Sequence, residues 1–248
     1  MKHILAAFIF FTRLPFWRIA NVPPEYFKRV VDYWPLTGLL TGTTTALVLW
    51  LSSHALPGAV AVTFAFIWRV LITGALHEDG FADFFDGFGC GGTRERILAI
   101  MKDSHIGTYG VIALIFYFLT VIGLLSSLPV VTACFTIVAA DTFAKLCGAQ
   151  LINHLPYARK SEEAKNKIVY DRVSIPALVS GVVIAAIPAI FLPHSMLWAY
   201  LAPLVVLIVL INIMKRHLGG YTGDCCGATF ILCELAFYIV ATMTQHAL

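Results

Sequence analysis

Three aspartates, Asp79, Asp83 and Asp86, lie in the run His77-Glu78-Asp79-Gly80-Phe81-Ala82-Asp83-Phe84-Phe85-Asp86-Gly87-Phe88-Gly89. On a continuous helix they fall at i, i+4 and i+7, so the three carboxylates share one face. Like charges at that spacing repel one another, and a bound cation relieves the repulsion. Carboxylate donors suit hard divalent cations such as Mg2+ or Mn2+ rather than zinc. The expected metal ligands are Asp79, Asp83 and Asp86, with Glu78 beside them. Mg2+ held by a few carboxylates is usually completed by substrate phosphates, so the chemistry expected is displacement at phosphorus. Gly80, Gly87 and Gly89 are expected to let a bulky phosphate group approach the backbone. The competing reading is a solvated acidic face, with Phe81, Phe84, Phe85 and Phe88 on the packed side. His77 is either a metal or phosphate contact or a structural histidine at the membrane interface.

Two further polar stretches sit at expected helix starts. Lys102-Asp103-Ser104-His105-Ile106-Gly107-Thr108-Tyr109-Gly110 sets small hydroxyls between glycines, where unpaired backbone N–H groups favour an anion. Gly219-Gly220-Tyr221-Thr222-Gly223-Asp224 has the same character, with Lys215 and Arg216 just before it. An ordinary capped helix start and a flexible turn are the alternatives. Arg13 and Arg69 either pair with phosphate or extend to the interface. Asp141 and Lys145, at i and i+4 within an apolar run, are expected to form a buried pair. The six cysteines show no C-x-x-C spacing and read as small apolar fillers.

These groups must be positioned by a membrane fold. Apolar residues make up 59% of the chain and charged ones 12%, against about 25% charged in a soluble domain. A span takes about 20 residues, and apolar runs cover 36–51, 59–76, 106–126, 130–151, 175–192, 196–214 and 228–244. The expectation is an all-α integral membrane protein of about seven spans, one polytopic domain over residues 1–248. The start resembles a secretory signal, but Arg13 and Pro15 interrupt it, so it reads as a mature interfacial segment. The loops at 52–58, 127–129 and 193–195 contain no Lys, Arg, Asp or Glu. The alternate connections carry Lys2 to Arg29, then Arg94, Arg96 and Lys102, then Arg159 to Arg172, then Lys215 and Arg216. That alternation puts the N-terminus and all three polar stretches in the cytoplasm. A net charge of +3 with no basic run among aromatics argues against nucleic acid as a partner.

The acidic run, Ile100-Met101-Lys102-Asp103-Ser104-His105-Ile106-Gly107-Thr108-Tyr109-Gly110 and Leu218-Gly219-Gly220-Tyr221-Thr222-Gly223-Asp224 together resemble the cobalamin synthase family, the adenosylcobinamide-GDP ribazoletransferases. Phe11-Thr12-Arg13-Leu14-Pro15 and Pro35-Leu36-Thr37-Gly38-Leu39-Leu40-Thr41-Gly42 also look like that family. The resemblance implies a Mg2+-dependent enzyme of the bacterial inner membrane. It would join adenosylcobinamide-GDP to alpha-ribazole, or its 5′-phosphate, giving adenosylcobalamin, or its 5′-phosphate, and GMP. It further implies Asp86, then Asp83, as general base, with Arg94, Arg96 or Lys102 steadying the diphosphate. His77, Arg13, Asp103, Ser104, Thr108, Thr222 and Asp224 are the remaining expected substrate contacts. Membrane lipids are expected partners, and a homo-oligomer is left open. The chain departs from the family in having His105 where a basic Arg or Lys is usual. It also lacks a second acid near Ile231, and Asp141 and Lys145 stand where an arginine is usual. A CDP-alcohol phosphotransferase is the nearest alternative, but its D-G-x-x-A-R pattern needs an arginine where Asp83 stands. A transporter would need polar groups at mid-membrane and on both sides.

Overall fold

Helices account for all the regular structure in a computed structural model that describes residues 1–159 and 169–246. Residues 160–168, part of the charged connection from Arg159 to Arg172, lie outside the described residues. The helices are α1 (Lys2–Phe11), α2 (Trp34–Ser52), α3 (Gly58–Thr73), α4 (Leu76–Cys90), α5 (Arg94–Ile100) and α6 (Thr108–Ser126). They continue with α7 (Val130–Ala149), α8 (Leu151–His154), α9 (Ile175–Ala186), α10 (Leu201–His217) and α11 (Gly223–His246). Among the described residues the one extended pairing is an isolated parallel bridge between Tyr157 and Tyr221.

The fold is that of a multi-pass membrane protein. Four helices, Thr108–Ser126, Val130–His154, His194–His217 and Gly223–Gln245, are long and apolar enough to cross a bilayer. The α3–α4 pair makes a fifth if it counts as one broken span. The apolar runs at 36–51 and 175–192 are also helical, as α2 and as α9 with a short 3-10 extension (Ile187–Phe191). Large apolar side chains point outward at helical spacing, as with Phe64, Ile67 and Leu71 on α3 or Ile112, Ile115, Phe116 and Leu119 on α6. Such a surface is stable against lipid but not in water.

At the centre, α2 and α7 pack closely enough to demand small residues. A Cβ on Gly38 would lie 2.8 Å from the Thr142 Cα, and one on Gly42 would lie 3.0 Å from the Val138 Cα. Lipid gives apolar helices no hydrophobic reason to associate, so close backbone contact of this small-xxx-small kind supplies dispersion energy instead. Thr41 adds a polar tie, donating to Asp141 Oδ2 at 2.8 Å and accepting from Lys145 Nζ at 2.8 Å. Lys145 and Asp141 form the buried ion pair expected from their spacing.

The break between α3 and α4 determines where the acidic run lies. Gly74 (φ 64°) and Ala75 (φ 57°) are both left-handed, and the chain turns by 92° there. Glycine takes that conformation without strain, whereas Ala75 must be held by its surroundings. Arg13 packs over the corner, and its backbone N–H donates to the Ile72 carbonyl at 2.6 Å. The turn therefore starts a separate helix, α4, that carries all three aspartates.

Candidate active site

The face bearing Asp79, Asp83 and Asp86 passes from exposed to buried along α4: Asp79 is exposed, Asp83 half-buried and Asp86 buried. Asp86 accepts the Gly107 N–H at 2.6 Å on Oδ2 and the Gly110 N–H at 2.9 Å on Oδ1. The anion at the start of α6 is thus the protein's own carboxylate, satisfying N–H groups that the helix leaves unpaired. Both oxygens of Asp86, expected first as the general base, accept backbone N–H groups of this joint. The glycines expected to admit phosphate instead admit neighbouring elements. A Cβ on Gly87 would meet Ile97 and Met101 of the α5 segment, and one on Gly89 would meet the Tyr109 ring.

Gly80 brings the first and third polar stretches together. A Cβ there would lie 2.9 Å from the Asp224 Cα, and a Cβ on Gly227 would lie 3.1 Å from the His77 carbonyl. The start of α11 is built locally by its own residues. Gly219 turns the chain at φ 63°, and Gly220 leaves room for the Pro156 carbonyl. The Ala158 N–H then donates to the Tyr221 carbonyl at 2.8 Å, and the Tyr221 N–H to the Pro156 carbonyl at 2.9 Å. Thr222 is buried and accepts the Cys225 N–H at 3.3 Å, the bond of a helix cap. This assigns Thr222 a capping task in place of the substrate contact expected of it.

The segment docked in this way delivers Arg159. Its guanidinium is buried, donates to the Leu98 carbonyl at 3.1 Å and lies 4.0 Å from Asp224 Oδ2. A cavity of about 180 Å³ opens here, bounded by Asp79, Gly80, Asp224, Arg159, His77 and the rings of Phe10, Phe11, Trp34, Tyr157 and Tyr170. The His77 imidazole stacks nearly parallel to Phe11 and Trp34, with centroids 6.3 and 5.8 Å apart, and sits 4.6 Å from the Phe230 ring. Trp34 Nε1, His77 Nε2 and Arg159 Nε are buried with no hydrogen-bond partner among the described residues. Buried polar atoms are normally paired, and these three are exceptions on residues that line the cavity.

Beneath the cavity lies a charged support. Arg69 donates to both Glu234 oxygens at 2.6 and 2.7 Å, to Tyr117 at 2.5 Å and to Glu78 Oε1 at 3.3 Å. Tyr117 and Tyr238 also donate to Glu234, at 2.7 and 2.9 Å. Arg69 is therefore an internal anchor joining α3, α4, α6 and α11. Glu78, expected among the metal ligands, shares this anchor through Oε1, while its buried Oε2 has no hydrogen-bond partner among the described residues.

The remaining expected contacts are spread more widely. Arg94 donates to the Leu218 and Ala158 carbonyls at 2.6 and 2.5 Å, clamping the loop that carries Arg159 rather than a diphosphate. Arg96, Lys102, Asp103, Ser104 and Thr108 are exposed and do not border the cavity. Arg13 borders an adjoining cavity of about 350 Å³ that shares Phe10 and Leu76 with the first. Sequence reasoning missed Arg159, Tyr157 and Trp34 as site residues. The available signal for Arg159 was a Pro-Tyr-Ala-Arg sequence directly after an apolar run, followed by a block of charge.

The donor set fits a divalent cation in part. Among the described residues no three His, Cys, Asp or Glu side chains converge tightly enough to hold a metal unaided. Asp79 and Asp224 nevertheless border the same cavity, with Asp83 one helical turn from Asp79. Mg2+, reluctant to shed its waters, is usually held by only one or two protein carboxylates, and Asp79 and Asp224 supply that number here.

A family model described as cobalamin-5-phosphate synthase matches residues 3–242 of the chain. The chain is 38% identical over 243 residues to a protein of Shewanella sp. (strain W3-18-1) named adenosylcobinamide-GDP ribazoletransferase, covering 95% of this chain and 92% of that one. A protein of the same name from Shewanella baltica (strain OS185) is 36% identical over 251 residues, covering 98% and 95%. No solved structure matches the chain.

Proposed function

The chain belongs to the cobalamin-5-phosphate synthase family, and from that premise we propose that it joins adenosylcobinamide-GDP to alpha-ribazole, or its 5′-phosphate, releasing GMP. The observation that supports this most is the meeting of α4 and α11 at Gly80, which sets Asp79 and Asp224 on one cavity with the Arg159 cation. Hard oxygen donors and a cation together suit a bridging diphosphate.

In the proposed reaction the ribazole 3′-hydroxyl oxygen attacks the phosphorus that bears cobinamide, and the bond from that phosphorus to the bridging oxygen breaks. The GMP phosphate leaves with the bridging oxygen and its electron pair. Asp83, on the open face of α4, accepts the hydroxyl proton. Asp79 and Asp224 would hold Mg2+, which would supply neutralisation of the diphosphate charge. Arg159 lends its positive charge to the phosphate oxygens, and little else is asked of the protein than placement and charge. The loop charges favour a site on the cytoplasmic side of the bacterial inner membrane, with a cytoplasmic N-terminus and seven crossings. A large amphipathic corrinoid can approach such a site along the bilayer surface.

Membranes containing the chain, given adenosylcobinamide-GDP, alpha-ribazole and Mg2+, are expected to form cobalamin and GMP in equal amounts. Failure of folded protein to form either, with head-group transfer from a CDP-lipid instead, would replace this reading with the phospholipid one.

A further inference from the structure

We propose that Arg94 is a positioning residue for the reaction, holding Arg159 at the cavity by tying the backbone just before it to the entry of α11. This rests on the proposed reaction, in which Arg159 meets the phosphate oxygens.

One guanidinium bonds two segments that are far apart in the chain. Arg94 Nε donates to the Leu218 carbonyl at 2.6 Å, and Nη2 donates to the Ala158 carbonyl at 2.5 Å. Leu218 directly precedes the Gly219 turn into α11, and Ala158 directly precedes Arg159. The same two segments pair with each other through the Ala158 N–H to the Tyr221 carbonyl and the Tyr221 N–H to the Pro156 carbonyl. Arg159 returns the contact, because its Nη2 donates at 3.1 Å to the carbonyl of Leu98, one helical turn beyond Arg94 on α5. The short helix therefore grips Arg159 twice, through the backbone before it and through its side chain. α5 is in turn seated on the acidic helix, where Ile97 and Met101 are buried in the room that Gly87 leaves.

No α5 residue lines the cavity, so what Arg94 contributes there is geometry. Two carbonyls bonded by one guanidinium call for its planar fork of N–H donors, which the single flexible ammonium of lysine does not reproduce. The Arg159 side chain is buried with Nη2 4.0 Å from Asp224 Oδ2, and the segments carrying these two groups are the ones that Arg94 joins. A displacement of about 1 Å at reacting groups costs up to about a hundredfold in rate. Arg94 lies in an exposed stretch, so replacing it empties no core.

The test uses the full chain in lipid nanodiscs, with rates expressed per folded protein. Arg94→Ala and Arg94→Lys are both expected to lower kcat about tenfold or more, with the KM for alpha-ribazole within about twofold. Arg159→Gln should lose at least as much. Adding Arg94→Ala to Arg159→Gln should then change kcat less than about twofold, because the group being positioned is gone. Full multiplication of the two losses in the double variant would overturn the inference, as would wild-type kcat per folded protein in Arg94→Ala. Activity kept by Arg94→Lys and lost only in Arg94→Ala, with the donor's KM raised, would overturn it too and make Arg94 a direct charge on the diphosphate. Full turnover in Arg159→Gln would remove the group that Arg94 is held to place. Absence of cobalamin from folded wild-type protein would overturn the parent reading and this inference with it.

Discussion

Asp86 on α4 takes the backbone N–H of Gly107 at 2.6 Å, locking the acidic helix to the start of α6. Two stretches that each looked like half of a ligand site in fact complete one another. Asp86→Asn replaces one acceptor oxygen with an NH2 that faces an N–H. Its expected cost is about 1–3 kcal/mol of stability, read as a lowered Tm in detergent. Asp83→Asn should lose turnover in the protein that stays folded.

Gly80 governs the distance between α4 and α11. Gly80→Ala drives a methyl against the Asp224 backbone, 2.9 Å from its Cα, where nothing flexible can yield. Turnover should fall at least about tenfold because a 1 Å displacement of reacting groups has effects of that order or larger. Gly123→Ala, with open space around it, should keep full turnover.

Much of this arrangement was legible from residue types. Apolar runs of span length located the helices, and the spacing of Asp79, Asp83 and Asp86 fixed them on one face of α4. The Asp141–Lys145 pair followed from i,i+4 spacing in an apolar run. What the sequence could not show was the partner of each polar group. Glu78 and Asp79 are neighbours in sequence, yet helical rotation sends one to Arg69 and leaves the other exposed. Arg94 and Arg159 are both cations in charged connections, but only the Tyr157–Tyr221 bridge decides which one borders the cavity. Contacts between residues far apart in the chain carry no local signal.

Removing the Arg69 charge should be among the most damaging single changes. Arg69→Met would leave Glu234 and Glu78 buried without their cation, a cost of about 3–5 kcal/mol. Adding Glu234→Gln should recover part of it. The yield of monodisperse protein and its Tm in the two variants measure the difference.

His105 supplies a pH dependence. Its ring Nδ1 lies 2.7 Å from Asp103 Oδ1, a hydrogen bond that raises the histidine above its usual range and lowers the carboxyl below its own. The pair's contribution is therefore lost as pH rises through the raised His105 value, and again as pH falls through the lowered Asp103 value. If His105 lends charge to the anionic donor, the donor's KM should climb on the alkaline side of the histidine titration. His105→Arg should flatten that limb of the profile.

The most direct test of the account is the Mg2+ dependence of turnover in Asp79→Asn, Asp224→Asn and Asp86→Asn proteins. The account predicts that the first two need far more Mg2+ for half-maximal rate, whereas Asp86→Asn keeps the wild-type requirement in whatever fraction stays folded. A shifted requirement in Asp86→Asn alone, with Asp79→Asn and Asp224→Asn unchanged, would contradict it and return the metal to the buried end of α4.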